Sequence, residues 1–415
     1  MKREQQNVSE VDLVAVTERN TRAKTSSNGG EPIPLDLIVE IFSRLPAKSI
    51  SRCRCVSKLW ASIPRLPYFT ELFLTRSLSR PKLLFACLKN NHVFFFSSPQ
   101  PHQILADDNN SSVLVASYHM KIPYYLLYSV IRSSVRGLML IGDERGSEGK
   151  KRKVSVICNP STGQSVTLPK PKTRKRFGLR SYLGYEPIKK LYKVLSMAWG
   201  IRSSSSVDHQ VLTLGTGGKP SWSRVECCIP HSVNRGCYVD HVCIDGVLYY
   251  QAFHTSTSDY IIVLFDFKSE KFRFVENFRD PLSVSFCWSS INYKGKLGSL
   301  GTGIHPRSTN IRLRVLEDAE KHEWSEHTYV LPHSWTNTIG GPCRGLRVVG
   351  VTHTNEIVFL NSCSSTSFDI LYYNTERNAI RRANIQGLEA FEWHSVYAYV
   401  DHVEDVDVKL IEGLL

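Results

Sequence analysis

The stretch Ile33-Pro-Leu-Asp-Leu-Ile-Val-Glu-Ile-Phe-Ser-Arg-Leu-Pro-Ala-Lys-Ser-Ile-Ser-Arg-Cys-Arg-Cys-Val-Ser-Lys-Leu-Trp60 carries more apolar side chains than three short helices can bury among themselves. Pro34 suits the first turn of a helix, where its missing N–H costs nothing. Behind it Leu35, Ile38, Ile41, Phe42 and Leu45 recur at helical spacing. Pro46 closes that helix and opens the next, whose Ala47, Ile50 and Cys53 keep one face apolar while Lys48, Arg52 and Arg54 take the wet side. Ser57 is positioned to cap a third helix carrying Leu59, Trp60 and Ile63, which Pro64 ends. A segment of about 45 residues is near the size at which a single core stops being self-sufficient. The apolar stripes left over therefore predict a helical partner.

The order of the landmarks Pro34, Leu35, Ile38, Ile41, Leu45-Pro46, Lys48-Ser49, Val56-Ser57-Lys58 and Trp60 resembles the F-box, the module that docks substrate receptors onto the Skp-type adaptor of cullin ubiquitin ligases. Ile50 and Cys53 depart from it, standing where bulkier apolar residues often occur. The resemblance implies adaptor contacts from Pro34, Leu35, Ile38, Ile41, Leu45, Pro46, Val56, Lys58 and Trp60, with Lys58 at the rim. The competing reading is a helical cap folded onto the rest of the chain, contributing stability alone.

At 415 residues the chain accommodates a large domain and a small one, and 42% hydrophobic with 22% charged residues is ordinary for a globular protein. The apolar run 122–131 is broken by Pro123 and falls short of a bilayer span, and the start Met-Lys-Arg-Glu-Gln-Gln lacks the apolar run of a secretory signal. No membrane partner is expected, and the nucleus or cytoplasm is the expected location. Eleven cysteines without regular spacing read as free thiols. Cys53/Cys55 and Cys227/Cys228 lack the gap and second ligand pair of a zinc site, so neither a metal nor a cofactor is expected. The net charge of +14 favours acidic partners. Much of it lies in Lys150-Lys-Arg-Lys153 and Lys170-Pro-Lys-Thr-Arg-Lys-Arg176, read as solvated loops, with a nuclear import signal or a phosphate-facing patch as alternatives. Without interleaved aromatics these runs give little reason to expect a nucleic acid partner.

Residues 1–30 are polar and end in Gly29-Gly30, the composition of a disordered lead. The helical module is assigned to 31–76, and a β-domain to 80–405. Within the latter a strand–turn–strand element recurs every 50–60 residues: 154–166, 211–222, 262–272, 313–324 and 371–380, with 93–104 a degenerate first copy. In four of them a turn residue precedes an apolar or aromatic residue by six positions: Thr216 and Trp222, Asp266 and Phe272, Asp318 and Trp324, Asn374 and Ile380. Between them lies a second hairpin type, turning at Arg136-Gly137, Tyr185-Glu186-Pro187, Asp245-Gly246, Lys294-Gly295 and Thr354-Asn355. Two hairpins per period make a four-stranded unit, and about six such units arranged radially make a β-propeller, with a β-sandwich array as the alternative. The closing strand around 395–400 is expected to pair with 82–87 and seal the ring. The phrases Cys158-Asn-Pro-Ser-Thr-Gly163, Arg136-Gly-Leu138, Asp245-Gly-Val-Leu-Tyr249 and Gly295-Lys-Leu297 resemble the kelch-like F-box-associated region of plant F-box proteins. The expected fold is thus a small all-α F-box module followed by an all-β propeller-like domain.

Catalytic motifs fail on their context. Gly215-Thr-Gly-Gly-Lys-Pro-Ser221 has the wrong glycine spacing for a phosphate loop and a proline where a helix should begin. Gly298-Ser-Leu-Gly301 is not a nucleophile elbow, and His322-Glu323 lacks the second histidine of a zincin helix. His241, His353 and His402 are isolated. The family resemblance implies a non-catalytic receptor that binds the Skp-type adaptor, and through it cullin and RING subunits, and holds a target protein near a charged conjugating enzyme. The candidate recognition loops are 200–208, 228–238 and 334–344. The alternative is a β-propeller interaction protein outside the ligases, nuclear and binding nucleic acid or phosphate.

Overall fold

The computed structural model describes residues 33–101, 112–123, 134–145, 152–173, 178–199, 207–215, 220–233, 241–257, 259–276, 288–301, 308–339, 346–361 and 368–406. The lead 1–30, the side chains of 150–153 and 174–176, and the turn 216–219 lie outside them.

Helix α1 (Leu35–Arg44) and helix α2 (Ala47–Cys53) each follow a proline in extended conformation, Pro34 and Pro46. Helix α3 (Lys58–Ser62) is capped by Ser57, whose hydroxyl accepts from the Trp60 N–H at 3.1 Å. Pro64 does not end the helical region. It sits in a single 3-10 turn, Ile63–Arg65, after which Pro67 occupies the first turn of a fourth helix, α4 (Pro67–Leu78). The apolar interior of this module gathers Ile38, Val39, Phe42, Ala47, Ile50, Ile63, Phe69 and Phe73.

The remainder forms six sheets, each built on four antiparallel strands, arranged as a six-bladed β-propeller. Blade one runs through Leu138–Arg145 to Gln164–Thr167, blade two from Gly178–Glu186 to Trp222–Val225, blade three from His231–Ser232 to Lys271–Glu276. Blade four spans Trp288–Tyr293 to Glu323–Val330, and blade five Leu346–Val351 to Ala379–Gln386. Blade six is shared between the ends of the domain: Val396–His402 lies innermost and pairs with Lys82–Lys89, placing Phe85 opposite Ala398 and Cys87 opposite Val396. This closure leaves the ring without a free seam.

The expected first copy at 93–104 differs in detail. Its first strand, His92–Pro99, pairs with Ser117–Pro123, because the chain first crosses to blade five, where Ser112–Val115 adds a parallel fifth strand beside Ala379–Gln386. The other expected hairpins are the outer strand pairs of blades one to five.

Five hairpins share one device. Asn159, Glu186, Asp266, Asp318 and Asn374 each turn a side-chain oxygen onto the N–H groups two and three residues ahead. Four residues ahead, Gly163, Lys190, Glu270, His322 and Asn378 take the left-handed conformation. The inner hairpins of blades one, three and four turn instead on two-residue loops with positive φ, Arg136-Gly137, Asp245-Gly246 and Lys294-Gly295. At Gly137, with φ of +85°, a Cβ would also stand 2.7 Å from the Val403 carbonyl oxygen.

Candidate functional site

Helix α1 is apolar on two sides. Ile38, Val39 and Phe42 point into the module, where Phe42 meets Trp60 edge-on at 5.2 Å and Phe69 at 6.4 Å. Leu37 and Ile41, one turn apart, point outward together with Ile33; they are 52%, 51% and 56% exposed. Val56, in the turn before α3, is 65% exposed. Pro34, Pro46 and Lys58 are exposed, while Leu35, Leu45 and Trp60 are half-buried against the module's core. Ile38, expected at the adaptor surface, is 5% exposed and packs with the core. Leu37, absent from the expected set, takes the outward position. Spacing from Ile33 through Leu37 to Ile41 is the signal that identifies it.

Among the described residues no propeller blade covers this outer face, for the module meets the propeller elsewhere. The Glu40 carboxylate bonds Arg44 at 2.6 Å and Arg76 at 2.8 Å, tying α1 to α4, and these guanidinium groups hold its carboxyl below the usual range. Lys48 Nζ donates to the Tyr118 carbonyl at 2.9 Å, Lys190 pairs with Glu71, and the Glu404 N–H donates to Ser77 Oγ at 2.7 Å. Val406, near the end of the described chain, is inserted into the module's own core.

A second feature lies at the seam of blades two and three, where a cleft of about 1610 Å³ opens beside Lys172, Asp208, Arg224 and Phe272. At its wall His209 from the third strand of blade two, Cys227 from the connection, and His231 from the start of blade three come together. One ligand atom from each lies within 4.8 Å of the other two. The Cys227 thiol donates to the Ile229 carbonyl at 3.3 Å and lies 3.7 Å from His231 Nδ1, while His231 Nε2 is 2.8 Å from the Tyr250 hydroxyl. His209 Nε2 is buried without a hydrogen-bond partner. Burial pushes the Cys227 thiol up to about 11 and His209 down to about 3, and lowers His231, so all three are neutral. Sequence spacing missed the cluster because His209 belongs to a separate strand of the neighbouring blade, and Cys227 with His231 alone is not a recognisable ligand pattern.

The expected recognition loops fare unevenly. Of 200–208 and 228–238, residues 200–206 and 234–238 lie outside the described residues. Within 334–344 the described part is a short helix, Trp335–Ile339, whose Trp335 and Ile339 are buried in the core, so it is packing and not an open loop. Gly298 to Gly301 lie in a regular strand, Lys296–Gly301, which has no strand-to-helix turn to expose a nucleophile. His322 occupies a turn, and His353 pairs with Asp401 at 3.1 Å. The described cysteines are free thiols, and no described helix is long and apolar enough to cross a membrane.

Comparison with known proteins matches residues 32–72 to the F-box domain and residues 82–403 to the F-box associated beta propeller domain. F-box protein DOR of Arabidopsis thaliana is 50% identical over 388 residues, covering 92% of this chain and 94% of that protein. F-box protein At5g65850 of the same plant is 45% identical over 415 residues, covering 98% of each chain.

Proposed function

This chain belongs to the plant F-box proteins that join an F-box to an F-box associated β-propeller, and from that premise we propose that it is the substrate-recognition subunit of a Skp–cullin–F-box ubiquitin ligase. The outer face of the helical module binds the Skp-type adaptor, which links it to the cullin and RING subunits. The propeller holds the target protein. One observation carries the reading: the apolar side chains of Ile33, Leu37 and Ile41, and that of Val56 before α3, are left uncovered by the described residues although a ring of six blades adjoins the module. Covering such side chains with a partner recovers roughly 1–2 kcal/mol each, enough for a specific interface centred on them.

In this reading the chain contributes positioning and the chemistry belongs to its partners. The gain is the effective concentration of a target lysine at the conjugating enzyme. A rigid junction between module and propeller serves that purpose, since it fixes the distance from adaptor to target. The reading assigns this work to the nucleus, the cytoplasm or both, which the distribution of a fluorescent fusion reports.

The test is binding of the full chain to purified Skp-type adaptor. Leu37→Glu with Ile41→Glu should weaken binding by at least about 2 kcal/mol, about thirtyfold in Kd. Both positions face solvent, so the thermal midpoint should hardly move. Undiminished binding by the folded double variant overturns the assignment.

A further inference from the structure

We propose that His209, Cys227 and His231 form a binding site for one zinc ion or similar thiophilic divalent cation, with its fourth coordination position open to the cleft between blades two and three. The donor set selects the class of metal. Two imidazoles and a thiol suit zinc, whereas calcium and magnesium require oxygen ligands, which this cluster does not offer.

The dimensions fit. Bond lengths of about 2.3 Å to sulfur and 2.0–2.1 Å to nitrogen put ligand atoms of a tetrahedral zinc roughly 3.3–3.6 Å apart. Cys227 Sγ and His231 Nδ1 already lie 3.7 Å apart, and the full set within 4.8 Å closes with small side-chain rotations. The surroundings supply an orienting partner. With the metal on Nδ1, the His231 Nε2–H donates to the Tyr250 hydroxyl at 2.8 Å, the outer contact by which proteins hold ligating imidazoles in one tautomer. Nδ1 then gives up its contact with the Ile229 carbonyl, now at 3.0 Å.

Two further observations point to an occupant. His209 Nε2 is enclosed yet has no partner, an unusual condition for a buried ring nitrogen. The cluster also borders the cleft rather than lying sealed within a blade, so an ion has a route in. Binding deprotonates Cys227, whose proton passes to solvent, while both imidazoles stay neutral. Because His209 belongs to blade two and His231 to blade three, the ion joins adjacent blades. It therefore stabilises the propeller by linkage.

The experiment uses the full chain, stripped with a chelator and titrated with cobalt(II). The expected result is a thiolate-to-cobalt charge-transfer band that saturates at one cobalt per chain, disappears on adding zinc and does not respond to magnesium. Cys227→Ser abolishes the band. His209→Gln weakens zinc binding at least tenfold, since losing even an outer partner of a ligand costs about 10–100-fold. Cys228→Ser, altering the exposed neighbour outside the cluster, leaves the band intact. Zinc raises the thermal midpoint of the native chain and not that of Cys227→Ser. The wild-type titration decides even where a variant folds poorly: no charge-transfer band at saturating cobalt overturns the proposal. A band that survives Cys227→Ser, or is lost in Cys228→Ser, overturns it as well.

Discussion

His402 is wholly enclosed where the innermost strand of blade six ends, with Nε2 3.3 Å from Ser161 Oγ and Nδ1 3.5 Å from Ser134 Oγ. Burial drives its pKa down to about 3, assisted by the nearby charges of His119 and Lys82. His119, whose Nε2 is 2.7 Å from Ser97 Oγ, is lowered to about 4, again chiefly by burial, with Glu404 opposing and Lys82 and Lys48 adding to the shift. An unfolded histidine titrates near 6.5. Between about pH 6.5 and 4 the unfolded chain therefore binds protons that the folded chain refuses. Stability is complete above the unfolded value and is lost as pH falls toward the folded one. From pH 7 to pH 5 His402 alone should remove on the order of 2 kcal/mol. His402→Gln keeps a hydrogen-bonding side chain and removes the titration, so its urea midpoint should fall less than that of the native chain over the same interval. Equal pH slopes for the two proteins would refute the burial argument.

At the scale of elements, the six-position spacing from Asp266 to Phe272 and from Asn374 to Ile380 has a register origin. A four-residue loop places each turn residue opposite the fifth residue beyond it and its predecessor opposite the sixth, so Phe265 faces Phe272 and Tyr373 faces Ile380. Because that pairing needs both the turn chemistry and an apolar partner, hairpins and the six-bladed repeat were legible from sequence, as was closure of apolar Lys82–Lys89 against Val396–His402. Helix α4 was not: Pro64 read as the end of the third helix, and the start that Pro67 gives to a further helix went unread. Nor was the division of α1 into inner and outer faces, since apolar residues flank its polar stripe of Asp36, Glu40 and Arg44 on both sides and spacing alone does not say which flank turns inward. That division is testable by truncation. Ile38→Ala empties a packed position and should cost about 2–5 kcal/mol of stability, read as a lowered chemical-unfolding midpoint. Leu37→Ala, one residue away and exposed, should change stability by less than about 0.5 kcal/mol. Similar losses from the two variants would contradict the assigned faces.

Across the whole molecule, module and propeller are joined by the tail that follows the closing strand. The Asn159 side-chain amide donates to the Asp405 carbonyl at 2.9 Å, so the Asn-Pro-Ser-Thr-Gly turn of blade one both shapes its own hairpin and anchors this tail. Glu404 pairs with Lys82 Nζ at 2.8 Å while its N–H reaches Ser77 at the end of α4. Val406 then enters the module's core among Phe42, Phe69 and Phe73. No local pattern announces this junction, because it rests on single residues of a short tail that acquire meaning only once the ring has closed. It makes the orientation of the outer apolar face of α1 depend in part on one buried side chain. Val406→Asp places a carboxylate in that apolar core, at a cost of several kcal/mol unless the tail withdraws. Withdrawal should free the module from the propeller, and chymotrypsin should then cut the connection after Leu78 faster than in the native chain. The blades, closed by their own strand pairing, should keep their thermal transition. Val406→Leu, apolar and slightly larger, should cleave far more slowly than Val406→Asp. Unchanged protection of the connection in Val406→Asp would mean that Lys48 and Glu71 hold the module without the tail.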